Sequence, residues 1–146
     1  MKIEIRIDED CTEPKITVVT DRITDEINEI VKRISGEQSQ TITGFLEERA
    51  VLLEPSQTVR IFASGGKVFA ETEKGTYLLR LRLYEAEQRL AGRGFVRISN
   101  SELINLKKVK GFDLSFTGTI CVSLSNGTVT YVSRRYVAKI KQILGI

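Results

Sequence analysis

The chain contains no histidine. Without an imidazole, no Ser-His or Cys-His pair can be assembled, which removes the commonest ways of activating a nucleophile. Cysteine is scarce too. Cys11 and Cys121 lie far apart with no metal-type spacing, so they read as free thiols of a reducing compartment. No apolar run approaches the ~18 residues that cross a bilayer as a helix. The start, MKIEIRIDED, alternates apolar and charged residues; lacking an apolar stretch, it does not read as a signal peptide. A cytoplasmic location is the expectation. There is no internal repeat, no low-complexity segment and no metal-ligand cluster. "SGGK" at residues 64–67 lacks the spacing of a phosphate-binding loop and reads as a turn between two strands. Glu47 and Glu48 point to opposite faces of a strand, whereas Glu71 and Glu73 share a face that reads as solvated. The expectation is a protein with no catalytic residues, no cofactor, no metal and no small-molecule substrate.

What is present is an uneven distribution of charge. Residues 1–54 hold 7 Lys+Arg and 13 Asp+Glu, a net of −6. Residues 55–146 hold 15 and 6, a net of +9. An acidic unit beside a basic one makes the basic part a candidate for binding polyanions. A length of 146 residues fits one domain with a small appendage.

Periodicity divides the chain further. "KIEIRID" alternates with period two and "KITVVT" is β-branched, so both read as strands. "DRITDEINEIVKRISG" changes period, placing Ile23, Ile27, Ile30, Val31 and Ile34 on one helical face. Asp21 or Thr24 can cap it and Gly36 can end it. "TITGFLEERAVLL" reads as one or two strands. Glu54-Pro55-Ser56-Gln57 then reads as a domain boundary, because proline in a polar cluster interrupts pairing. The expected organisation is a β-β-α-β unit over 1–54, for dimerisation or partner docking, and a mainly β domain over 55–146. The second unit shows strands separated by Ser64-Gly65-Gly66, Glu73-Lys74-Gly75, Thr117-Gly118 and Asn126-Gly127. Two short helices, "LYEAEQRLAG" and "RRYVAKIKQILG", complete it, making an α+β fold dominated by short antiparallel sheets.

Two basic stretches carry the chemistry. In "FVRISNSELINLKKVKGF", residues 95–112, the triplet Ser99-Asn100-Ser101 sits among Arg97, Lys107, Lys108 and Lys110. Ser99 and Glu102 fit a capping box at a helix start, which would hold Asn100 outward. An asparagine amide pairs bidentately with adenine N6 and N7 in the major groove. In "VSRRYVAKI", Ser133 reads as an N-cap with Arg134 and Arg135 in the first turn. Cations there oppose the helix dipole by up to about 1 kcal/mol each, a conflict that a bound phosphate reverses.

These two motifs together resemble the LytTR-type DNA-binding domain of bacterial transcription regulators. The resemblance covers roughly residues 55–146. It implies a mostly β fold that binds double-stranded DNA at direct-repeat promoter sites by placing loops in the major groove. By resemblance, Asn100 and Arg135 match base-contacting positions. A third family contact comes from the first hairpin loop, where some members use histidine and this chain offers Lys67. Arg134, Lys107, Lys108, Arg97 and Ser99 are the expected phosphate contacts. The first 54 residues are too few for a phosphoreceiver domain, so the chain resembles stand-alone members. That resemblance implies a protein partner, a membrane-protein regulator. Separately, three or four short N-terminal strands cannot bury the apolar helix face alone, so a homodimer is also expected. The alternative is a basic interaction module that binds an acidic protein.

Overall fold

The structure, a computed structural model, describes residues 1–35 and 41–146. It divides into two compact units, Met1–Gln38 and Ser39–Ile146.

In the first unit the only regular element among the described residues is helix α1, Asp25–Ser35. Thr24 supplies its cap: the Thr24 hydroxyl accepts the Ile27 amide at 3.3 Å. The expected end at Gly36 lies outside the described residues. The two strands expected before the helix are not formed. A strand is defined by the neighbour it bonds to, and among the described residues none pairs with residues 1–20.

The second unit begins earlier than the expected boundary at residue 55. Strands β1 (Ile42–Leu46) and β2 (Arg49–Leu53) form a hairpin, and β1 also pairs with β5 (Gly75–Leu79). They therefore extend the sheet of the second unit rather than complete a β-β-α-β unit. Pro55 does interrupt the strand, but through a short 3-10 turn, Pro55–Gln57, that leads directly into β3 (Thr58–Ser64). With the boundary at 38/39, the second unit carries 16 Lys+Arg against 9 Asp+Glu, a net of +7.

Strands β4 (Lys67–Thr72), β6 (Phe95–Ser99) and β7 (Glu102–Asn105) complete a seven-stranded antiparallel sheet in the order β2-β1-β5-β4-β3-β7-β6. A second sheet of three strands, β8 (Val109–Asp113), β9 (Ile120–Leu124) and β10 (Val129–Val132), has the order β10-β9-β8. Helix α2, Leu83–Arg89, packs Leu83, Ala86 and the following Leu90 into one core with Ile61, Val68, Leu79 and Leu103. Helix α3, Arg134–Leu144, sets Ile140 into a second core with Ile98, Ile104, Ile120, Val122 and Leu124. The large sheet is thus covered on both sides where β3, β7 and β6 run. β7 is buried along its whole length, with Leu103 in one core and Ile104 in the other. In β3, Val59 and Ile61 should share a face, yet they belong to different cores. The register shift between Thr58 and Arg60 accounts for this, because a bulge reverses the alternation.

Candidate DNA-binding surface

Three chain reversals meet at one end of the large sheet. The first is the β3–β4 hairpin. Gly65 and Gly66 both have positive φ, 58° and 78°, as a two-residue turn of matching twist requires. Lys67 leaves this turn exposed. The second reversal is the β6–β7 hairpin, with Asn100 and Ser101 at its tip. The Ala63 amide bonds to the Ser101 carbonyl at 2.8 Å, which holds these two hairpins side by side. The third is the entry to α3, anchored where the Ser133 amide bonds to the Ile98 carbonyl at 2.9 Å.

The triplet at residues 99–101 therefore caps no helix. It is a hairpin tip, and the capping-box expectation is overturned. Both flanking segments are strands whose side chains already fill the two cores, so helical geometry would withdraw them. The Ser99 hydroxyl still accepts a main-chain amide, that of Ser101 at 3.2 Å. Glu102 does not reach back; it is buried, accepts a bond from the Thr130 hydroxyl at 2.9 Å and faces Arg60 at 3.4 Å. Burial pushes its carboxyl above the ordinary value, outweighing the opposing pull of Thr130 and Arg60.

Asn100 is exposed at the tip, and its side chain is held. The Tyr136 hydroxyl, from the first turn of α3, donates to Asn100 Oδ1 at 3.3 Å. The amide nitrogen has no partner among the described residues. The second lone pair of Oδ1 remains available too, so a two-bond contact to a base edge is chemically open. Arg97 holds the turn from behind. Its Nε donates to the Ser99 carbonyl at 2.7 Å, one terminal nitrogen to the Asn100 carbonyl at 2.8 Å, and the other to Glu87 at 3.3 Å. Arg97, expected at phosphate, serves here as a clamp, and Tyr136 is a contact outside the expected set. The signal for Tyr136 was present in the Ser-Arg-Arg-Tyr stretch, but the pairing depends on a contact across 36 residues.

Arg134 and Arg135 are both exposed at the start of α3. Ser133 occupies the cap position as expected but makes no side-chain bond there; its carbonyl accepts the Tyr136 amide instead. Two cations at an N-terminus without a hydroxyl cap remain an electrostatic conflict in the free protein. Arg135 has no hydrogen-bond or ion-pair partner among the described residues, and neither does Lys67. Arg134 lies beside Gly118 of the β8–β9 connection.

Lys107 and Lys108 are placed elsewhere. They follow Asn105, at the opposite end of β7 from the Asn100 tip, roughly 13 Å away at strand spacing. Lys107 is exposed, whereas Lys108 is half-buried and faces Glu73 at 3.8 Å. Asn105 organises this end. Fully buried, it donates to the Thr58 carbonyl at 2.9 Å and accepts the Lys107 amide at 3.0 Å.

The expectation of a solvated pair fails for Glu71, which is half-buried, whereas Glu73 stays exposed. Glu71 accepts bonds from Arg60, Asn126 and Thr128, and Glu73 accepts one from Ser125 at 2.6 Å. These bonds tie the β4–β5 end of the large sheet to the β9–β10 turn. Burial pushes the Glu71 carboxyl up, but its three donors more than offset this and hold it below the ordinary value.

A β-rich domain that gathers exposed amide and guanidinium groups on three loops at one sheet end is built to meet a polar, anionic surface. Residues 48–145 match the LytTr DNA-binding domain, and the chain belongs to that family. It is 30% identical over its whole length to 99% of an uncharacterised HTH-type transcriptional regulator of Staphylococcus aureus strain NCTC 8325 / PS 47. A relative of the same description from strain MRSA252 is 29% identical with the same coverage. The fold is shared with the solved LytTr DNA-binding domain of a Bacillus cereus protein, with a TM-score of 0.70 and 22% identity. That alignment covers 73% of this chain and 98% of the other. The relatives' description specifies a helix-turn-helix. Here, among the described residues, no two helices are joined by a short turn. Nor is any helix of the described residues long and apolar enough to cross a membrane.

Proposed function

We propose that this chain is a sequence-specific DNA-binding transcription regulator that reads direct-repeat promoter sites with loops rather than with a helix. The observation that carries the reading is the Asn100 tip. It is exposed, braced from behind by Arg97 and oriented by Tyr136, and it stands beside the Arg134–Arg135 helix start and the Lys67 hairpin. Asn100 and Arg135 read base edges: the amide suits adenine, and a guanidinium suits guanine. Lys67 approaches from the neighbouring hairpin. Arg134, Ser99 and Lys107 hold phosphates, which position the domain without carrying sequence information.

Selection from random duplexes tests this. Retained sequences should be enriched in spaced direct repeats, and failure to enrich any sequence would favour binding to an acidic protein instead. On the selected site, Asn100→Ala and Arg135→Ala should each lose about 1–3 kcal/mol and change little on random DNA. Lys107→Ala should weaken both duplexes alike. If each protomer neutralises ~4 phosphates, the log–log salt slope should be roughly −3 to −4. Wild-type binding by both Asn100→Ala and Arg135→Ala would remove the base-reading assignment.

A further inference from the structure

The first unit carries a strand pattern without a strand partner. Ile3, Ile5 and Ile7 are 84%, 91% and 89% exposed. The side chains between them, Lys2, Glu4, Arg6 and Asp8, alternate in sign. The Lys2 ammonium and Glu4 carboxylate meet at 3.2 Å, so these two already lie on one side of the chain. Seven residues of strict alternation make a ribbon with one apolar and one charged face as soon as an edge is available.

The order of charges specifies which edge. In an antiparallel pairing of two identical copies centred on Ile5, Lys2 stands opposite Asp8, Glu4 opposite Arg6, and Ile3 opposite Ile7. Every charged pair is then of opposite sign, which stabilises cross-strand neighbours. Centring on Ile3 or Ile7, or a parallel pair staggered by two residues, also opposes unlike charges but forms fewer such pairs than the four made about Ile5. The remaining arrangements fail. Centring on Glu4 sets Lys2 against Arg6, and centring on Arg6 sets Glu4 against Asp8. A parallel in-register pair sets every charge against itself. A shift by one residue moves the isoleucines to the charged face. The β-branched segment 15–20 is a poor match, because it offers only Lys15 as a charge.

We propose that residues 2–8 pair with the same residues of a second copy, as an antiparallel two-stranded ribbon with a two-fold axis at Ile5. The same patch serves both partners, as two-fold symmetry requires. A two-stranded ribbon is marginal alone, and its isoleucine face needs cover. The α1 stripe, with Val31 and Ile34 exposed, and the exposed Ile23 just before it supply an apolar layer. The occupant of this face is therefore a second copy of the chain. This inference stands apart from the DNA-reading assignment, since no residue of the Asn100 end takes part.

A charge-swap experiment on the full chain, read by sedimentation equilibrium, tests both partner and register. Wild type should be dimeric by ~100 μM. Glu4→Arg sets a new arginine opposite Arg6 at two symmetric places, and Arg6→Glu sets a new glutamate opposite Glu4. Each variant alone should self-associate roughly tenfold more weakly. Mixed together, the two variants form only opposite-sign pairs at these positions and should recover wild-type association. Ile5→Lys, at the axis, should abolish dimerisation. Binding of one protomer to a single DNA half-site should be unchanged in all of them, which reports an intact second unit. A monomeric wild type at ~100 μM would overturn the proposal. So would variants that associate like wild type, or a mixture that fails to recover.

Discussion

Replacing Arg97 separates two roles that the same residue could play. The structure spends its guanidinium inside the protein, on the carbonyls of Ser99 and Asn100 and on Glu87. Its side chain is only 15% exposed. Hydrogen bonds from a charged donor contribute about 1.5–3 kcal/mol each. The Asn100 carbonyl sits at an exposed tip, where water replaces part of the lost bond. The Glu87 pair is surface-like and worth under about 1 kcal/mol. Together these put Arg97→Ala at about 2–3 kcal/mol of lost stability, or a melting temperature lower by roughly 10 °C for a domain of this size. Arg97→Lys is the sharper test. It keeps the charge but loses the planar fork that reaches two carbonyls at once. As a clamp, it should melt and discriminate between DNA sites nearly as poorly as the alanine variant, with the salt slope unchanged. A phosphate contact would behave in the opposite way: Arg97→Ala would reduce the slope by about 1 and leave melting alone, while lysine would substitute well. Wild-type melting and site discrimination by Arg97→Lys would refute the clamp.

Two further perturbations test the framework behind the loops. Asn105→Ala strands the buried Thr58 carbonyl and the half-buried Lys107 amide, and should cost about 2–3 kcal/mol, seen as a lower urea midpoint with an unchanged slope. Glu102 has a folded-state affinity for protons raised by burial. Its contribution is therefore most favourable below the ordinary carboxylate value of 4.5 and is lost as pH rises through the higher folded value. Glu71, held below its ordinary value, works the other way: its contribution is present above 4.5 and is lost as pH falls through the lower folded value. Glu102→Gln should remove the decline on the alkaline side of 4.5 and leave the acid-side loss in place, as measured by denaturant titrations across about pH 2 to 7. An unchanged alkaline-side profile would show that Glu102 does not carry it.

The sequence by itself determined the elements that rest on local physics. The hairpins at Gly65-Gly66 and Asn126-Gly127 needed only turn chemistry. α1 and α3 needed only their apolar periods, and the basic character of the second unit only a count of charges. The candidate base readers, Asn100 and Arg135, were legible as residue types in a motif. Tertiary structure decided everything that depends on who sits opposite. β1 and β2 joined the large sheet because β5 offered them an edge, which moved the boundary away from Pro55. Residues 99–101 became a hairpin tip because β7 must fill two cores at once, and no local capping preference outweighs that burial. Arg97 turned inward because two carbonyls at the tip needed a fork-shaped donor. Glu71 was drawn from the expected solvated face to the β9–β10 turn. Residues 2–8 show the same rule from the other side. Their alternation specifies a strand, but a strand's hydrogen bonds lie in its neighbour, and among the described residues none pairs with residues 2–8.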